Sequence, residues 1–493
     1  MSPIIALGIL IVYFAILVFI SFKTSKGADT NTFFTANKQS PWYLVAFAMI
    51  GTSLSGVTFI SVPGAVGPKA FSYFQMVLGY LVGYVFIGTV LMPMYYKLNL
   101  ISIYTYLEKR LGFWSYKSGS AFFLLSRTMG SAVRLYIAAK VLQLAIYEPL
   151  GIPFEVSVLI TIGLIWLYTF KGGVKTIIIT DTLQTTFLIA AVALTIYLIT
   201  KELNLDGQLI TTIYESKYSK IFHFDNFISD PKNFFKQFIS GAFIALVMTG
   251  LDQDLMQKNL TCKNIGEAQK NMFWFTIVIV FVNLMFLSLG VLLYIYAETK
   301  GIQIPTKTDE LYPLIALKYF GATGVGTMGF IVAFMFLIGI TAATYASSDS
   351  ALTALTTAFC IDFMNVESKP EAERSKIKHW VHIGFSLLFY VVILIFNQVN
   401  SQDVISAIFK LASYTYGPLL GLFIFGLYTK RNVLDKFVPI VCLLAPMLTY
   451  LLVTLVEKNT VYKFMSENLI LNGFITFIGL LLISKNSLQS QNK

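Results

Sequence analysis

Arg134, Asp181, Asp349 and Lys410 are ionisable residues set inside long apolar runs. In a bilayer each costs at least about 2.5 kcal/mol unless it is paired or hydrated, so each position calls for a partner or a task. The planar guanidinium of Arg134 suits a bidentate grip on a carboxylate, or an internal ion pair, and both readings are open. Arg127 lies seven residues earlier on nearly the same helical face. Arg127 and Lys140 are nearer the ends of their run and are expected to snorkel to the interface. Asp181 sits in Thr180-Asp181-Thr182 and Asp349 in Ala346-Ser347-Ser348-Asp349-Ser350. A carboxylate among hydroxyls is a hard-oxygen environment suited to a small desolvated cation. The alternative is a protonated or arginine-paired acid that ties helices together. Lys410, near Ser406, Ser413 and Tyr414, reads as a structural ion-pair partner or as a substitute for a cation.

A second polar feature is Gly51-Thr52-Ser53-Leu54-Ser55-Gly56-Val57-Thr58, inside an apolar stretch from Trp42 to Pro63. Two glycines and four hydroxyls in about two turns do not make a lipid-facing helix, because the hydroxyls would lack partners in hydrocarbon. One reading is a discontinuous helix whose unwound backbone serves a cation or a solute. The other is close packing of a neighbouring helix on small residues.

The elements that must position these groups follow from composition. Of 493 residues, 56% are hydrophobic and 12% charged, which excludes an ordinary soluble domain and implies an all-α, polytopic membrane protein. Apolar runs of about 18 residues or more number about thirteen. They fall near 3 to 21, 41 to 66, 71 to 96, 118 to 147, 155 to 170, 176 to 200 and 236 to 256. The rest fall near 271 to 297, 323 to 358, 379 to 397, 404 to 428, 437 to 456 and 467 to 484. The first run has no basic leader and no small-residue cleavage site, so it reads as a spanning helix. Residues 1–493 are expected to form a single transmembrane domain with no appended soluble unit.

Basic residues concentrate in alternate connections: Lys23, Lys26 and Lys38; Lys97, Lys109, Arg110 and Lys117; Lys171 and Lys175; Lys258, Lys263 and Lys270; then Lys369 to Lys378 and Lys430 to Lys436. The turns 148–154 and 398–403 contain none. The positive-inside bias then predicts an N-terminus outside, a cytoplasmic C-terminus and residence in the plasma or inner membrane. The formal charge of +11 reports this topology and not a nucleic-acid partner. Cys262, Cys360 and Cys442 are too scattered for a disulfide framework. His223, His379 and His382 form no catalytic or metal set, so an enzyme is not expected. Asp252 to Asn264 is polar and basic, and a solvated turn accounts for it.

Several motifs in order resemble the sodium/solute symporter family: Gly51 to Phe59 followed by Pro63; Tyr104-Thr-Tyr-Leu-Glu-Lys-Arg110; Tyr168-Thr-Phe-Lys-Gly-Gly-Val174 ahead of Thr180-Asp181; Asp252-Gln253 leading to Gln257-Lys258; and the hydroxyl-rich run from Ala343 to Asp362. In pattern the chain is similar to bacterial members such as sialic-acid transporters. The resemblance implies a leucine-transporter-like core of two inverted five-helix repeats, 41–200 and 236–428. An extra helix at 3–21 precedes them and two helices at 437–484 follow. Gly51 to Thr58 then belongs to the discontinuous first helix, and Ser240 to Gly250 to its counterpart.

Carried over by position, the resemblance implies a principal sodium site on the carbonyls of Gly51, Leu54 and Ala343 with the Ser347 hydroxyl. A second site would use Asp181, Ala346, Asp349 and Ser350. Here the chain departs from the pattern, since Ala346 removes a hydroxyl and Asp349 adds a carboxylate, and a cation or a proton must keep Asp181 and Asp349 from repelling. Arg134 coincides with an arginine that grips a substrate carboxylate. Ser53, Ser55, Thr58, Tyr73 and Phe243 are the expected lining, with Val77 where that branch has an amide. The implied function is sodium-driven uptake of a small organic anion, a carboxylate or acidic sugar, by alternating access in a monomer. Rival readings are proton coupling on the same fold through Asp349 or Asp181, sodium-driven uptake of a neutral sugar or amino acid, and a sensor on a transporter fold.

Overall fold

The computed structural model describes residues 3–170, 172–321, 326–399 and 404–485. Lys171, Thr323 and residues 400–403 of an expected turn lie outside them. The elements used below are α1 (Pro3–Thr24), α2 (Trp42–Ser53), α3 (Gly56–Lys69), α4 (Ser72–Phe86), α5 (Phe113–Leu142), α6 (Phe154–Thr169) and α7 (Gly173–Glu202). They continue with α8 (Phe234–Gly250), α9 (Gln253–Asn259), α10 (Ile265–Thr299), α11 (Gly326–Asp362), α12 (Glu371–Val399), α13 (Val404–Thr415), α14 (Gly417–Tyr428), α15 (Val438–Asn459) and α16 (Asn468–Leu482).

Among the described residues, eight helices are long and apolar enough to cross a bilayer, and eleven spans result if each of three bent pairs counts as one. Two shorter apolar helices, α6 and α16, fall on the remaining apolar runs. Several helices outrun their apolar stretch. The helix Glu371–Val399 begins eight residues before the run near 379, because the run marks hydrocarbon thickness while charged turns continue into water.

The bends show how each sequence handles freed backbone. The α8–α9 pair turns by 67°, and there the hydroxyls of Tyr95 and Tyr104 donate to the carbonyls of Gly250 and Leu251 at 2.9 and 3.0 Å. Asp252 then caps α9 by accepting from the Asp254 N–H at 2.9 Å. The α13–α14 pair bends by 45° where Pro418 cannot donate, and the Asn472 amide supplies the Ser413 and Tyr414 carbonyls at 3.1 and 2.9 Å. The α2–α3 pair bends by 57° between Ser53 and Gly56. Its last helical bond runs from the Leu54 N–H to the Ile50 carbonyl at 2.8 Å, and among the described residues nothing donates to the carbonyls of Gly51 to Leu54.

Packing against these bends relies on small residues. A Cβ on Gly51 would overlap Thr185 of α7, and one on Gly56 would overlap Thr344 of α11. The helix is therefore broken at the 51–58 stretch, and its glycines also admit the two flanking helices. Gly79 of α4 and Gly241 of α8 likewise press on the backbone at Phe238 and Met76.

Side-chain and backbone bonds gather the connections at two ends. One end joins Ser40 to Thr261, Ile101 to Gln253 and Arg110 to Gly426. The other joins Phe71 to Lys220, Tyr218 to Glu298 and Ile228 to Lys463.

Candidate solute and cation sites

A cavity of about 90 Å³ lies beside the α2–α3 break, lined by Ser53, Ser55 and Thr58 from the broken pair, Tyr73 from α4 and Arg134 from α5. Arg134 is half-buried, and among the described residues no ion pair or hydrogen bond engages it. Phe243 is half-buried against the apolar core and does not line this cavity; α8 contributes Ile244, Met248 and Thr249 instead. Tyr80, Tyr84 and Asn283 also line it and were not anticipated. The Tyr73 and Tyr80 hydroxyls are 3.3 Å apart.

Tyr73 and Phe409 also line a larger cavity, of about 390 Å³, on the side of the molecule carrying Lys232 and Glu457. Lys410 is exposed and, like Lys69, lines that cavity, and no ion pair engages it among the described residues.

On the opposite side of the solute cavity, polar groups lock α5, α9, α11 and α14 together. Arg127 is buried and pairs with Asp254 and, at 3.6 Å, with Asp252, so it does not snorkel. The Tyr416 hydroxyl donates to Asp252 at 2.5 Å, and the Ser350 hydroxyl donates to Asp254. The segment following Asp252 is correspondingly not a solvated turn. Gln253, Asp254, Gln257 and Lys258 are all buried, because α9 runs inward among four helices.

The expected sodium ligands separate into two groups. At the α2–α3 break, the carbonyls of Gly51 and Leu54 have no donor, and Thr344, whose hydroxyl overlies Gly56, has a buried oxygen without a partner, as does Ser348. Ala343 and Ser347 lie one turn apart on the same helix, and the Ser347 hydroxyl donates to the Thr344 carbonyl at 3.0 Å. Carbonyl ends and orphaned hydroxyls suit a small hard cation. The residues expected at the second site are occupied otherwise. Asp181 accepts from the Lys258 ammonium at 2.5 Å and from the Thr52 hydroxyl at 3.0 Å. Thr52 also lies 3.3 Å from the Ala346 carbonyl. Asp349 accepts from the Tyr168 hydroxyl at 2.7 Å, and Ser350 is turned to Asp254. One oxygen each of Asp181 and Asp349 remains buried and unpartnered. His382 sits between the hydroxyls of Thr169 and Thr356 at 3.0 and 2.9 Å, a helix tie and not part of either site.

The sequence pattern of the sodium:solute symporter family matches residues 33–434. The chain belongs to that family. It is therefore a membrane transporter and not an enzyme. Relatives include the sodium/sialic acid symporter NanT of Aliivibrio fischeri, 28% identical over 85% of this chain and 80% of that protein. They also include the sodium-coupled monocarboxylate transporter 2 of Mus musculus, 24% identical over 85% of this chain and 67% of that one. The structure matches a sodium-coupled sialic acid symporter solved with substrate bound in an outward-open state, with TM-score 0.81 and 19% identity over 98% of this chain and 99% of that one. It also matches the nucleobase–cation symporter Mhp1 in a closed conformation, with TM-score 0.54 and 15% identity over 92% and 93%. The family's fold, leucine-transporter-like and all-α, is the one expected from the motifs.

Proposed function

We propose that this transporter imports a small organic anion, a carboxylate or an acidic sugar, driven by sodium. The observation that carries the reading is Arg134, a guanidinium lining the cavity with no ion-pair partner among the described residues. A half-buried cation left unpaired within the membrane is costly, and a substrate carboxylate relieves that cost on arrival. The family relatives that take sialic acid or monocarboxylates agree with this choice.

In this reading ten of thirteen spans form two inverted repeats, 41–200 and 236–428, each opening with a bent pair, with one helix before them and two after. The N-terminus is outside, the C-terminus is cytoplasmic, the chain works as a monomer in the cell membrane, and the lysine-rich cavity faces outward. Sodium binds the carbonyls of Gly51 and Leu54 with Ala343 and Ser347, joining α2 to α11. That bond holds the break in the shape that presents Ser53, Ser55 and Thr58 to the solute. Tyr73 and Phe409 are the thin outer layer that must part for entry. The Arg127, Asp252, Asp254 and Tyr416 lock is the inner layer that must open for release.

Sodium-gradient uptake into proteoliposomes of a panel containing sialic acid, short monocarboxylates, neutral sugars and amino acids tests the reading. Uptake of a carboxylate that needs sodium supports it; uptake of a neutral sugar unaffected by Arg134→Ala contradicts it. One observation favours a proton-coupled version: among the described residues one Asp349 oxygen accepts from the Tyr168 hydroxyl and the other is bare. Uptake driven by a pH gradient at equal sodium on both sides would select it.

A further inference from the structure

Asp181, Thr52 and the Ala346 carbonyl form an all-oxygen pocket between α2, α7 and α11, and a cation is already in it. The Lys258 ammonium reaches in from α9, lies 2.5 Å from the Asp181 carboxylate and contacts the Thr52 hydroxyl. Lys258 and Asp181 are both essentially fully buried. The base of α9 is pinned so that the lysine cannot drift, since the neighbouring Gln257 amide donates to the Phe34 carbonyl at 2.7 Å and to Thr357 at 3.0 Å. Asp349, nearby on α11, accepts from the Tyr168 hydroxyl instead at 2.7 Å.

We propose that Lys258 is a tethered cation that takes the place of a second sodium on Asp181, so that this symporter binds one sodium, at the α2–α3 break. The proposal rests on the sodium-coupled reading above. A free sodium ion and an ammonium on the same carboxylate oxygen exclude one another by size and by charge. The carbonyls of Gly51 and Leu54, which Lys258 does not reach, stay available. An outcome in energetics follows. One sodium moving with one monoanion carries no net charge, so the membrane potential does no work on the cycle. Two sodium ions would carry one net charge, and the membrane potential would then drive the cycle.

The test is equilibrium binding of radiolabelled sodium to the purified full chain, with no solute present. The expected result is one equivalent bound in the wild type and in Lys258→Arg, and two in Lys258→Met, where the vacated Asp181 oxygen accepts an ion. Lys258→Met should also melt at a temperature that rises with sodium more steeply than in the wild type. Two equivalents in the wild type would overturn the proposal while leaving sodium coupling intact, and this arm does not depend on any variant folding. No sodium bound to the wild type would overturn the sodium-coupled reading itself. If Lys258→Met folds and still binds one equivalent, the lysine is a structural tie only and the proposal fails.

Discussion

Arg127 and Arg134 stand two turns apart on nearly the same face of one helix, yet they live in opposite surroundings. Arg127 is enclosed by Asp252 and Asp254, and those acids are themselves held by Tyr416 and Ser350. Arg134 lines the same cavity as Arg127, but among the described residues no ion pair engages it. A charge that the fold has already satisfied can only hold helices together. A charge that the fold leaves open is available to something that arrives. The difference separates the layer that keeps the molecule shut from the place where solute binds.

The largest effect should come from breaking the satisfied side. Arg127→Met leaves two buried carboxylates without their cation and should cost about 3–5 kcal/mol, read as a collapse in melting temperature of the detergent-purified protein. Arg134→Met should do the reverse, leaving the melting temperature unchanged or higher while anion uptake falls at least about 100-fold, as expected for a lost bidentate charge-assisted contact. If both variants lose stability alike, the contrast is wrong. Tyr416→Phe removes one hydrogen bond to the Asp252 carboxylate and should cost about 1.5–3 kcal/mol, with faster solute efflux from loaded proteoliposomes. The smallest effect belongs to Tyr73→Phe. It removes only a 3.3 Å contact with Tyr80 and should shift the melting free energy by less than about 1 kcal/mol, with uptake within a few fold of wild type.

Much of the scaffold was legible in the chain because each spanning segment announces itself through its own composition. The α2–α3 break was legible too, since two glycines and four hydroxyls in hydrocarbon cannot be ignored. Pro418 carried a similar signal for the α13–α14 bend and was passed over. What could not be read locally were the partners. Lys258 has the look of a loop lysine, followed by Asn259, Thr261 and Lys263, and only the inward course of α9 buries it. Tyr168 meets Asp349 across 181 positions of sequence, a pairing that no periodicity reports. Phe243 and Ile244 differ by one residue, which is about 100° around a helix, and that rotation decides which of them sees the cavity.

The bends carry the same lesson as the two arginines. Tyrosines cover the freed carbonyls at one bend and an asparagine covers them at another, but those of Gly51 to Leu54 are bare among the described residues. The bare bend adjoins the cavity that holds the bare arginine, so the cation and the anion are expected to stabilise one another's sites.

Thermal-shift titration of the purified protein with carboxylates, neutral sugars and amino acids, in sodium and in choline, measures that coupling directly. The account predicts stabilisation by a carboxylate in sodium, little in choline, and none in Arg134→Met. Equal stabilisation by a neutral solute in both salts, retained in Arg134→Met, would contradict it.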